Sequence, residues 1–141
     1  MLGLFLEHHL EAAAHDVLPV WIWVRRLATT HPIELGLGEL VDVPQDEPGH
    51  IYHLFVSRSP ERDLIREALV DAKIGTATYY VTPLHLQPAL RFLGYEPGSL
   101  PETERVAQEN FSVPLWPTIS VEQQERVIDV VRSAVGVAAG A

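Results

Sequence analysis

The sequence predicts an α+β fold, a small antiparallel or mixed sheet covered by helices. Three observations carry this. His50-Ile51-Tyr52-His53-Leu54-Phe55-Val56 is rich in β-branched and aromatic residues, and Thr76 to Val81 is a second such run. One amphipathic helix with start and stop signals lies between them. Beyond them the chain carries helical patterns, proline turns and one short extended stretch. At 141 residues it has the length of one domain and can bury a real core.

Taken in order, residues 1–34 form a leader different in character from residues 35–141, which make up the domain. Leu2 to Ala14 fits a helix, with Leu6, Leu10 and Ala13 along one side. Val17 to Val24, with Pro19, Trp21 and Trp23, fits a strand or a buried helical turn, and periodicity does not decide. Val41-Asp42-Val43-Pro44 leads into the acidic turn Gln45-Asp46-Glu47-Pro48-Gly49. His50 to Val56 is then expected as a central strand. Ser59-Pro60-Glu61 announces a helix, because serine caps free amides, proline suits a first turn and glutamate faces the positive end of the dipole. Leu64, Ile65, Ala68, Leu69 and Ala72 share one face of it, and Ile74-Gly75 is its expected stop.

After the Thr76–Val81 strand, Pro88 to Phe92 fits a short helix closing at Gly94-Tyr95. Ser99-Leu100-Pro101-Glu102 has capping-box spacing and opens a helix to about Asn110. Phe111 to Pro117 is extended. Ser120-Val121-Glu122-Gln123 repeats the capping box and opens the last helix, which buries Val127, Ile128, Val131 and Ala134. The small residues Gly136 to Ala141 are expected to fray.

Composition removes several classes of function. A net charge of −9 argues against a nucleic-acid backbone or an anionic membrane as partner. Met1 to Leu6 is cut short by Glu7-His8-His9 and lacks the basic lead of a signal peptide. Val17 to Val24 falls far short of the roughly 20 residues a membrane span needs. With no cysteine there is no disulfide or thiolate metal site, and a cytoplasmic location is expected. No metal site is expected either. His50 and His53, three apart on a strand, point to opposite faces, and in Glu7, His8, His9 and Glu11 the adjacent histidines diverge on a helix. No nucleophile elbow is present, and Gly36-Leu37-Gly38 is too short for a phosphate loop.

Lysine is nearly missing. Lys73 is the only one, expected in the last turn of a helix and solvated there, unlike a Schiff-base lysine in its dry pocket. The stretch from Gly75 to Pro88 is the candidate ligand-facing element. It sets Tyr79, Tyr80, His85 and Gln87 among prolines, which force a rigid loop. The competing structural roles are packing of the domain edge for the tyrosines and bracing of the proline loop for His85.

From Val41 to Val131 the sequence resembles the C-terminal small domain of the DegT/DnrJ/StrS-type sugar aminotransferases, pyridoxal-phosphate enzymes of fold type I. The carrying residues are His50 to Val56, Ile74-Gly75-Thr76, Pro83-Leu84-His85-Leu86-Gln87-Pro88, Leu93-Gly94-Tyr95, Pro101-Glu102-Thr103-Glu104-Arg105 and Ser112-Val113-Pro114-Leu115-Trp116-Pro117. The resemblance implies transfer of an amino group to a nucleotide-linked keto-sugar. It also implies that Tyr79, Tyr80 and His85 bind substrate on the sugar side of the active site. Where the family commonly has His-Tyr-Pro, this chain has Tyr79-Tyr80-Val81, so Tyr80 is the closest match. The family's aldimine lysine lies in a large N-terminal domain that residues 1–34 do not resemble. The expectation is therefore a fragment, inactive alone, that works as a homodimer or with a cofactor-bearing partner chain. The alternative is a non-catalytic remnant that self-associates through a former domain interface.

Overall fold

In the computed structural model the residues described are 35–45, 53–116 and 118–139. The expectations for the leader, for His50 to Tyr52 and for the histidines and glutamates near the start lie outside them. Strands β1 (Phe55–Arg58) and β2 (Asn110–Val113) pair antiparallel, with Phe55 opposite Val113 and Ser57 opposite Phe111. Single bridges widen this ribbon on both edges, Asp42 to Arg58 and Ala77 to Ser112. The helices are α1 (Arg62–Asp71), α2 (Pro101–Glu109) and α3 (Val121–Ala139). Three 3-10 turns, Leu37–Glu39, Leu84–Leu86 and Pro88–Leu93, complete the order. Helix α1 packs on α3 and against β2. Phe55, Phe111, Leu37, Ile65, Leu69 and Val131 fill the core between them. The α+β class expected from the sequence is the one observed.

Several elements differ from expectation. Strand β1 begins at Phe55, because His53 and Leu54 lie in a bend. Thr76 to Val81 makes a single bridge instead of a strand. Beyond Ala77 the partner that meets the chain is the Asn110 side chain, so no backbone ladder continues there. In α1 the buried face is Ile65 and Leu69, while Leu64 is 48% exposed. Ser59 lies two residues outside the cap position expected for it: its Oγ accepts the Glu61 amide (3.2 Å), and Glu61 holds the N-cap position.

The capping box expected at Ser99 is absent. Ser99 Oγ turns back to accept the Glu96 amide (3.0 Å), and Leu100 becomes the N-cap. Glu104 takes over the capping, accepting the amides of Gly98 (2.9 Å) and Leu100 (3.3 Å). Glu102 pairs with Arg105 instead. At Ser120 the box forms as expected: the Ser120 amide donates to Gln123 Oε1 (2.9 Å), and Ser120 Oγ accepts the Gln123 amide (3.3 Å). The four apolar residues expected on the inner face of α3 are all buried. The helix persists to Ala139, where fraying was expected, because alanine favours helix.

The stop of α1 is also not where glycine suggested. The Ile74 amide donates to Leu69 O (2.8 Å) and the Lys73 amide to Val70 O (2.9 Å). This is a Schellman motif with Lys73, not Gly75, in the left-handed position at φ 61°. Lys73 therefore lies beyond the last helical turn, although it is exposed as expected. A lysine in this conformation crowds its own Cβ, whereas glycine does not. Lys73→Gly is expected to raise stability by about 0.5–1 kcal/mol in urea unfolding, net of glycine's extra chain entropy.

Candidate functional site

The site grows from β2. Its Phe111 and Val113 side chains enter the core, and its other edge holds the loop that follows α1. Thr76 Oγ1 donates to Ser112 O (2.9 Å), the Ser112 amide donates to Ala77 O (2.8 Å), and Ser112 Oγ accepts the Ala77 amide (3.2 Å). One residue pair further on, the buried Asn110 takes over. Its Oδ1 accepts the Tyr79 amide (2.8 Å), and its Nδ2 donates to Val106 O (2.9 Å). The loop is thereby tied to the end of α2, and Tyr79 and Tyr80 are presented from it. Their rings meet edge to face at 6.1 Å, and the peptide between them is cis. Tyr79 is 42% exposed and Tyr80 65%.

His85 has a different setting. It is buried, with Nε2 3.2 Å from Glu104 Oε1 and its ring edge to face with Tyr95 at 5.7 Å. Gln87 Nε2 donates to Thr82 O (3.0 Å) and closes the proline loop. The Glu104 carboxyl is held below its usual range. The Gly98 amide is the largest cause, the His85 side chain and the Leu100 amide add to it, and desolvation opposes it. Glu104 thus fastens His85, the 94–100 turn and the start of α2 together.

All three residues expected at the site line one cavity of about 430 Å³, whose wall also includes Tyr95, Leu100 and Asn110. Tyr79 is shared with a second cavity of about 550 Å³ on its other side, towards Lys73 and Trp116. Two exposed phenols offer ring faces and hydroxyl groups to a polar ring-shaped ligand. The imidazole of His85 is already engaged with a carboxylate. Sequence reasoning passed over Asn110 and Glu104. Asn110 carried a signal, an asparagine placed where a helix stops, whereas Glu104 resembled any other first-turn acid.

The sequence profile of the DegT/DnrJ/EryC1/StrS aminotransferase family matches residues 25–132, taking in the whole of Val41–Val131 and reaching further upstream. The chain belongs to this family. A pleiotropic regulatory protein of Geobacillus stearothermophilus is 40% identical over 102 residues, 71% of this chain and 27% of that one. A dTDP-3-amino-3,4,6-trideoxy-α-D-glucose transaminase of Micromonospora megalomicea subsp. nigra is 37% identical over 108 residues, 71% of this chain and 29% of that one. Among solved structures, S. venezuelae DesV in complex with a ketimine intermediate superposes with a TM-score of 0.73 and 31% identity. The match covers 90% of this chain and 34% of DesV. The chain thus spans less than a third of the length of these two curated relatives.

The residues present do not fit a Schiff-base cofactor. Such a lysine is desolvated in its pocket, whereas Lys73 is exposed at the end of α1, and among the described residues the adjoining cavity has no carboxylate in its wall to face a pyridinium nitrogen. Among the described residues no helix is long and apolar enough to cross a membrane.

The depressed Glu104 carboxyl gives a pH prediction. Its contribution to stability is complete above the ordinary value of 4.5 and disappears as pH falls through the lower folded value. Glu104→Gln is expected to be less stable than the parent at pH 7. Its stability should also fall less on acidification below 4.5, as followed by urea midpoints across pH.

Proposed function

We propose that the chain is the C-terminal part of a pyridoxal-phosphate enzyme that transfers an amino group to a nucleotide-linked keto-sugar, with Tyr79 and Tyr80 on the sugar-side wall. The observation that carries this reading is the placing of both tyrosines, from a loop pinned to β2, over one cavity of about 430 Å³. Family membership and the dTDP-sugar transaminase among the relatives supply the substrate class. In this reading the phenols bind and orient the sugar, and Tyr80, the more exposed, meets it first. His85 acts from behind by fixing the loop's far end to Glu104. The cofactor, when bound, supplies the amino-group chemistry from the larger remainder of the enzyme or from a partner chain. The chain alone is inactive, because its only lysine is solvated.

A second reading rests on Val81 and Leu84 of the loop and Phe92 of the Pro88–Leu93 turn after it, which are 67%, 65% and 80% exposed. A non-catalytic module would bury them by self-association.

A chimera decides between the two. Residues 25–132 replace the matching segment of the Micromonospora transaminase, and transamination of that enzyme's own nucleotide-sugar is measured with cofactor supplied. The first reading expects turnover, with Tyr80→Phe lowering kcat/KM about fivefold to tenfold through a lost hydrogen bond. A folded, cofactor-bearing chimera without turnover contradicts it and favours the second.

A further inference from the structure

The cavity on the far side of Tyr79 has a different chemistry from the tyrosine-lined one. It measures about 550 Å³, within the range of roughly 300–1,000 Å³ that small organic ligands occupy. Val113, Leu115, Ile119 and Val127 give it apolar walls, and Trp116, 38% exposed, adds an aromatic face. Among the described residues the charged groups in its lining are Lys73 and Arg126, without an acidic residue, in a chain of net charge −9.

Both cations stand at the C-terminal end of α1, where positive charge suits the helix dipole, and both also line this cavity. Lys73 occupies the left-handed position at the end of α1, where glycine would be better accommodated. Arg126 has Glu122, Glu125 and Asp129 close by on α3, yet among the described residues it pairs with none of them. Its Nη2 donates instead to Ala72 O (2.9 Å), the carbonyl just before Lys73 in the chain. Lys73 likewise has no ion pair among the described residues, although Asp71 lies two positions away. Two cations without acidic partners at the edge of an apolar, tryptophan-bearing cavity suit a ligand with a flat apolar body and one anionic group.

We propose that this cavity binds a small aromatic anion, with its phosphate or carboxylate on Lys73 and Arg126 and its ring against Trp116. The inference does not rest on the sugar-side reading: Tyr79 lines both cavities, but Tyr80 and His85 line only the other one, and Lys73, Arg126 and Trp116 only this one.

The test is titration calorimetry on the full chain with phenyl phosphate, benzoate and uncharged benzyl alcohol. At least one of the two anions is expected to bind in the millimolar range, as suits a ligand of this size, and which one does so tells phosphate from carboxylate. Benzyl alcohol is expected to bind about tenfold more weakly or not at all. Lys73→Gln, an exposed substitution that leaves the core intact, should loosen the anion about fivefold, and Trp116→Leu should do the same. Retained thermal unfolding of each variant separates lost binding from lost fold. The proposal is overturned if neither anion binds, if benzyl alcohol binds as tightly as the anions, or if folded Lys73→Gln binds as well as the parent.

Discussion

Helix α2 runs into β2 with no loop between them, and the buried amide of Asn110 has to serve both sides of that junction. The last carbonyls of any helix lack partners within it. Here Asn110 Nδ2 donates to Val106 O, Arg62 Nη1 to Ala107 O and the Ser59 amide to Glu109 O. The helix end is thus fastened to the start of α1 across the sheet. The same Asn110 uses its oxygen on the Tyr79 amide, so the tyrosine loop is positioned by the group that finishes the helix. A buried amide satisfied on both sides favours one geometry, because either half left unpaired would cost about 1–3 kcal/mol.

From that junction the rest of the site follows in two directions. Along β2, Ser112 and Val113 carry the chain past Ala77 to the wall of the larger cavity, where Trp116 and the two cations stand. Along α2, Glu104 reaches back to the 94–100 turn and to His85, which lines the smaller cavity. Tyr79 is the divider, lining both. The arrangement separates a neutral, hydroxyl-bearing surface from a cationic, apolar one within a single loop and strand.

Much of the scaffold was legible in the sequence because short-range rules decide it. The buried stripe of α3 and the capping box at Ser120 follow from spacing alone, and both are present. The resemblance to sugar aminotransferases was legible from ordered motifs such as Pro83-Leu84-His85-Leu86-Gln87-Pro88, and it is met by the family match. What failed were positions where tertiary partners displaced local ones. Ser99 was taken by the Glu96 amide, and Glu104, one turn on, did the capping. Lys73 ended a helix that glycine two residues later was expected to end. Thr76 to Val81 has strand composition, but only Ala77 finds a backbone partner, because Asn110 offers a side chain instead. Nothing local in Gln108-Glu109-Asn110 announces that the asparagine amide will reach a residue 31 positions away.

The account depends most on Asn110 as the holder of the tyrosine loop, and amide hydrogen exchange reads this at single residues. In the parent the Tyr79 amide should be protected. In Asn110→Ala it should exchange at least about tenfold faster, the equivalent of one lost hydrogen bond, while the amides of β2 that face β1 keep their protection. A Tyr79 amide that exchanges freely in the parent, or one whose protection survives the substitution, would contradict the account.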